Sequence, residues 1–300
     1  MAGSLKIDSH MHIYPTKEEG QRHKAGGYSI WEYGNKPDVR FSKYGGDIED
    51  ALEAIDEGGF SKAVVVNLFT APQVPQTAAI STNPPPREQL KEFNRWACDL
   101  AKPHPQLIPF ISADPRILPG DEGAAHVRDL VENHGARGIK LHPVVQGFHM
   151  ADQQMWPIYW VCQELSIPII AHSGPARGGE PYAEPHAFVK PLEAFPNLNF
   201  VLAHLGGATW EQAPEIASSY PNAYFDCCEI MEWTGAPNAP SDRQLAQLIL
   251  DVGSDRVMMG TDFPWYDLDR SAELVMGLPL LSQEEKEAIL GANAARILDL

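Results

Sequence analysis

Cysteine is scarce: four in 300 residues, Cys98, Cys162 and the adjacent pair Cys227 and Cys228. None shows Cys-x-x-Cys spacing and neighbouring cysteines bridge poorly, so all four read as reduced, mostly buried thiols. Positive charge is also in short supply. Lys and Arg number 23 against 40 Asp and Glu, a net charge of −17 that repels phosphate backbones and anionic lipid. Nucleic acid and membrane surfaces are thereby excluded as expected partners. No apolar run approaches ~18 residues and no cationic start precedes one, which argues against a membrane span or a secretory leader. Short repeats, low-complexity tracts and domain-splitting linkers are absent too. A cytoplasmic protein with a small-molecule partner is expected, with homo-oligomer formation left open. Residues 1–4 are set aside as a cloning remnant.

What is present is alternation of β-rich runs with helical patterns over the whole length, with 44% hydrophobic residues and 26 prolines and 24 glycines spread along it. Residues 7–12 form the first strand, followed by a polar, glycine-rich loop over residues 16–46. Asp47 caps a helix whose Ile48, Ala51, Leu52 and Ile55 share one face, and Gly58 with Gly59 stops it. Residues 62–66 are a buried strand. A proline-rich loop over 71–86 leads to a helix with Leu90, Phe93, Ala97 and Leu100 on its apolar side. Strands are expected at 107–111, 138–143, 167–172, 199–204, 223–226 and 256–262. Helices are expected at 122–133, 157–165 and 245–252, and Ser282 with Glu285 makes a capping box for the last. Near-continuous apolar strands separated by helices are what a parallel sheet buries on both faces. A doubly wound open sheet would carry a Gly-rich phosphate turn after its first strand, and this chain has His-x-His there. The expected fold is therefore α/β, a single (β/α)8 TIM barrel of residues 1–300 with an extended loop after strand one.

The chemistry-bearing residues gather at strand ends. His10 and His12, two apart on a strand, share a face, and imidazole is the commonest ligand for a borderline ion such as zinc. Lys140 and His142, then His172, His204 and Asp262, fall at the ends of strands four, five, six and eight, where such barrels keep their active sites. Each alone has a structural explanation, such as a loop cap or an ion pair. Together they are hard to produce by accident.

The pattern resembles the amidohydrolase superfamily, and more narrowly the amidohydrolase-2 group, which includes aminocarboxymuconate-semialdehyde decarboxylase, aromatic-acid decarboxylases and small lactonases. The matching stretches are Asp8-Ser9-His10-Met11-His12, Gly138-Ile139-Lys140-Leu141-His142-Pro143, Ala171-His172-Ser173-Gly174, Leu202-Ala203-His204-Leu205-Gly206-Gly207 and Met259-Gly260-Thr261-Asp262-Phe263-Pro264. The tail, residues 290–298, completes them. The resemblance implies one divalent ion, zinc first with manganese or iron as alternatives, held by His10, His12, His172 and Asp262. It implies His204 and Asp262 as catalytic groups, with Lys140 and His204 able to hold a second ion if the lysine is carboxylated. Such an ion lowers the pKa of bound water to roughly 7.

The loops suggest the substrate-binding wall: Trp31, Tyr33, His142, Phe148, Trp233 and Trp265 for a flat or apolar molecule, Arg40 or Arg177 for a carboxylate. The first expectation is a hydrolase of a small ester, lactone or amide. The alternatives are a non-oxidative decarboxylase of an aromatic or unsaturated acid, a binuclear centre with oxygen chemistry, and a non-catalytic barrel.

Overall fold

A computed structural model of the chain describes residues 5–70 and 85–300. Eight parallel strands run in sequence order: β1 (Ile7–Met11), β2 (Lys62–Val66), β3 (Leu107–Ser112), β4 (Gly138–Leu141), β5 (Ile169–Ala171), β6 (Phe200–Leu202), β7 (Ala223–Asp226) and β8 (Val257–Met258). The chain after β8 closes the ring on β1. Ser9 N–H donates to the Met259 carbonyl (3.0 Å), Asp262 N–H to the His10 carbonyl (2.8 Å) and His12 N–H to the Phe263 carbonyl (2.8 Å). Asp8 reinforces the seam by accepting from Thr261 N–H at 3.0 Å. This is the (β/α)8 barrel expected from the sequence.

Inside the barrel, Ile7, Val64, Val66, Phe110, Ile170, Val201 and Met258 pack together and onto Ala294, Ile297 and Leu298 of the last helix. That helix is tied to chain entering the strands: Arg137 donates to the Asp299 carbonyl and Asn199 to the Ile297 carbonyl. The N-terminal mouth is thus plugged, leaving the C-terminal mouth for function. A second, larger apolar layer lies between strands and outer helices, burying residues such as Leu130, Ile139, Tyr159 and Phe225.

Local signals act as expected at several helices. Asp47 accepts from Asp50 N–H and Gly59 ends the helix Ile48–Gly58 in the left-handed region. Ser282 and Glu285 form their reciprocal cap. The expected strands 138–143, 167–172 and 199–204 shorten to Gly138–Leu141, Ile169–Ala171 and Phe200–Leu202, and two further stretches differ from expectation. Residues 16–46 are not simply a loop, for they hold helices Lys17–Lys24 and Tyr28–Tyr33. The eighth strand keeps only Val257–Met258; the residues after it bond to β1 as described above, and Asp262 turns into the left-handed region. Most of the expected proline-rich loop, residues 71–84, and the expected remnant, residues 1–4, lie outside the described residues. Among the described residues no helix is long and apolar enough to cross a membrane.

Candidate metal centre

Strand β1 presents His10, and His12 follows just beyond its end. Their Nε2 atoms stand 3.6 and 3.2 Å from Asp262 Oδ1. The donor atoms of His10, His12 and Asp262 lie within 4.8 Å of one another, a spacing that fits one ion. The other nitrogen of His10, Nδ1, meets Asp226 Oδ2 at 2.9 Å. Burial opposes the charge of Asp226, but the His10 ring beside it outweighs that and holds its pKa at about 2. An ionised Asp226 requires a proton on His10 Nδ1, which leaves the Nε2 lone pair free to face the cavity.

Lys140, wholly buried at the end of β4, directs Nζ at that same lone pair from 2.7 Å. Burial lowers the lysine's pKa, with Asp262 and Asp226 pulling the other way. Two imidazole nitrogens and a carboxylate oxygen converging on one point are donor types that divalent transition ions take. The donors therefore fit a divalent ion.

His172 does not join the trio. Its ring stacks flat on His142, centroids 3.9 Å apart, and its Nε2 lies against Gly174 with no hydrogen-bond partner although buried. A buried, unpartnered nitrogen is costly unless something else engages it.

Behind the trio, Asp226 gathers a second group of residues. Its Oδ1 accepts from His204 N–H at 2.8 Å and from the Cys228 thiol at 2.9 Å. The Cys228 sulfur is also 3.1 Å from His204 Nδ1, and His10, His204 and Cys228 form a second compact donor trio. Burial depresses the His204 pKa to about 4, so its imidazole is neutral near pH 7. Glu229 Oε2 stands 3.7 Å from His204 Nδ1, and the Ser29 hydroxyl donates to its Oε1. Burial, then the charges of Asp262 and Glu32, raise the Glu229 carboxyl well above the usual range.

His204, Leu205, Glu229 and Asp262 all adopt positive φ, 50–61°. Non-glycine residues there cost ~1–2 kcal/mol each, and such strain concentrates where function demands a side-chain direction. Glu32 reaches the same region from helix Tyr28–Tyr33. Its Oε1 accepts from Ala208 N–H at 2.9 Å and fills the space a side chain on Gly207 would need.

These groups open into a cavity of about 1110 Å³ lined also by Tyr14, Tyr28, Asn67, Phe69, Phe93, Arg116, His142 and Trp265. His142 and Trp265 were expected at this wall, and Trp265 meets the His12 ring edge-on at 5.7 Å. Several expected wall residues lie elsewhere. Phe148 is buried in the apolar layer outside the barrel. Tyr33 and Trp233 stack on each other, fully buried, with Trp233 Nε1 donating to the Tyr266 hydroxyl at 2.7 Å. Trp31 is exposed and Arg177 sits over it, 5.4 Å from the ring. Arg40 is a surface side chain 3.9 Å from Asp267. Residue type alone missed Asn67, Arg116, Asp226, Cys228, Glu229 and Glu32. The available signal for all but Glu32 was position, since each ends or closely follows a strand.

Fold and site together define a barrel enzyme whose chemistry sits where the strands end. The chain belongs to the amidohydrolase family, whose model matches residues 7–300. It is similar to a 2-amino-3-carboxymuconate-6-semialdehyde decarboxylase of Dictyostelium discoideum, 24% identical over 99% of this chain and 92% of that protein. Among solved structures it is similar to an uncharacterised TIM-barrel protein of Bordetella bronchiseptica (21% identity, TM-score 0.75, 98% of each chain). It is also similar to a dihydroxybenzoic acid decarboxylase of Polaromonas sp. JS666 with bound manganese and the inhibitor 2-nitroresorcinol. That match has 18% identity and a TM-score of 0.70, covering 99% of this chain and 98% of the other.

Proposed function

We propose that the protein is a metal-dependent carboxy-lyase releasing CO2, without oxidation, from a small aromatic or unsaturated acid. The observation that carries this reading is the cavity, where the His10, His12 and Asp262 donors share one space with the flat rings of Tyr14, Tyr28 and Trp265. Hydrolysis, expected first from the residues, gives way because two similar proteins of nearly full-length match are named decarboxylases.

His10, His12 and Asp262 hold the ion in this reading, and His172, whose buried Nε2 has no hydrogen-bond partner, would have to turn toward them to serve as a fourth donor. A divalent ion there supplies Lewis-acid attraction for the oxygens of an anionic substrate. Asp226 keeps His10 Nε2 unprotonated and aimed inward. The aromatic walls hold the ring or conjugated chain in plane and keep water from the reacting carbon. Cleavage of the carbon–carboxylate bond leaves an electron pair on carbon, where a proton must arrive as CO2 departs. Glu229 and the neutral His204, 3.7 Å apart, line a route for that proton.

The test is isotopic, run in D2O with a panel of dihydroxybenzoates and carboxymuconate semialdehydes beside small lactones and esters. The expected result is CO2 release with one deuterium on the carbon that lost it. Cleavage of a lactone or ester with ¹⁸O from labelled water in the product carboxylate, and no CO2 from any acid, would overturn the reading.

A further inference from the structure

Asn67 follows β2 directly, has 2% of its surface exposed and lines the cavity. Ile13 N–H donates to its side chain at 2.8 Å, and a backbone N–H must meet the amide oxygen. That bond fixes the orientation of the amide, so Nδ2 is the remaining end, a buried donor with no partner. Arg116 follows β3, next to β2 in the sheet, and is the cavity's one lining arginine among the described residues. Among the described residues its one acidic ion-pair neighbour is Asp114, 3.7 Å from Nε. Gly147, at φ +67°, makes room for its NH1, since a Cβ on that glycine would stand 2.8 Å away.

We propose that Asn67 Nδ2 and the Arg116 guanidinium form an oxyanion-binding pole on the β2–β3 side of the cavity, which takes a second carboxylate of the substrate. The inference rests on the carboxy-lyase reading and narrows its substrate class to acids carrying a second anionic group away from the one that leaves. An unpartnered amide N–H2 and the guanidinium edge not turned to Asp114 supply donors, which is the chemistry of carboxylate recognition. Lys140 does not compete for this role, because its Nζ is engaged with His10.

Binding, rather than turnover, tests the pole. The manganese-loaded enzyme is titrated calorimetrically with benzoate and with benzene-1,3-dicarboxylate. The dicarboxylate should bind roughly 10- to 100-fold more tightly, the range expected for charge-assisted hydrogen bonds. Arg116→Gln should erase most of that preference. Asn67→Asp keeps the oxygen that Ile13 N–H needs but replaces the donor with a repelling anion, and should reverse the preference. Equal affinity of the two acids for the unmodified enzyme, or a preference that survives Arg116→Gln, overturns the pole. A preference lost in Arg116→Gln without CO2 release from any acid would keep the pole and reject the carboxy-lyase reading.

Discussion

Asp226 joins three parts of the site. One carboxylate orients the His10 ring, holds the His204 backbone in its left-handed turn and receives the Cys228 thiol. Carboxylates that orient a metal-binding histidine change metal affinity roughly 10- to 100-fold when removed. Asp226→Asn preserves the volume but lets either His10 nitrogen carry the proton. Its manganese dissociation constant, measured by titration, should therefore rise by about that factor while the thermal transition stays cooperative. Unchanged affinity would mean that the His10 ring is held by packing alone. This residue was visible in the sequence as the end of the seventh strand. Its role was not, because its partner His10 lies 216 positions away.

Elements set how the first loop is brought over the barrel. Asp50, in the first turn of helix Ile48–Gly58, accepts from Lys17 Nζ (2.7 Å), Gly45 N–H (2.7 Å) and Gly46 N–H (3.1 Å). Burial works against its charge, but these donors outweigh it and the pKa falls below 3.8. A depressed carboxylate contributes stability above the unfolded value of 3.8, lost as pH drops through the folded one. Asp50→Ala leaves two backbone donors without a partner and should cost ~2–3 kcal/mol in chemical denaturation. A loss under ~0.5 kcal/mol, the ordinary surface value, would show that the loop is held elsewhere.

The same scale shows what was legible in the sequence. Strands such as Lys62–Val66 and Ala223–Asp226 are short apolar runs that announce themselves. Helix Lys17–Lys24 does not, because only Gly20 on it is buried and it has no apolar face to read. The candidate ligands His10, His12 and Asp262 were readable because strand ends converge in any barrel, whereas His172, also expected, does not join them. The aromatic wall was readable only in part. Phe148, Tyr33 and Trp233 have the right composition for a pocket, yet loop packing turns them into the interior. Side-chain direction in loops is decided by long-range contacts that residue order does not carry.

At the scale of the whole molecule, buried neutral histidines make stability fall with acid. His126 accepts from Asn94 Nδ2 at 3.2 Å, and Asn94 also pairs with the Ser112 backbone of β3. Burial first, then the Lys91 charge, lowers the His126 pKa from 6.5 to about 4. Between those values the unfolded chain takes up a proton that the folded chain refuses, so stability declines as pH falls from 6.5 towards 4 and levels below it. His126→Gln removes this titration and keeps an acceptor. The drop in stability between pH 7 and pH 5 should shrink by on the order of 1 kcal/mol, allowing for partial exposure. An undiminished drop would assign the acid limb to other groups.

In the carboxy-lyase reading, CO2 release depends on one divalent ion held by His10, His12 and Asp262. The most direct test follows CO2 evolution while manganese is added back to chelator-stripped enzyme. The rate should start near zero, rise linearly to one equivalent and stay flat beyond it, with His12→Ala silent throughout. CO2 release at full rate in excess chelator, or none at any metal content, would contradict the account.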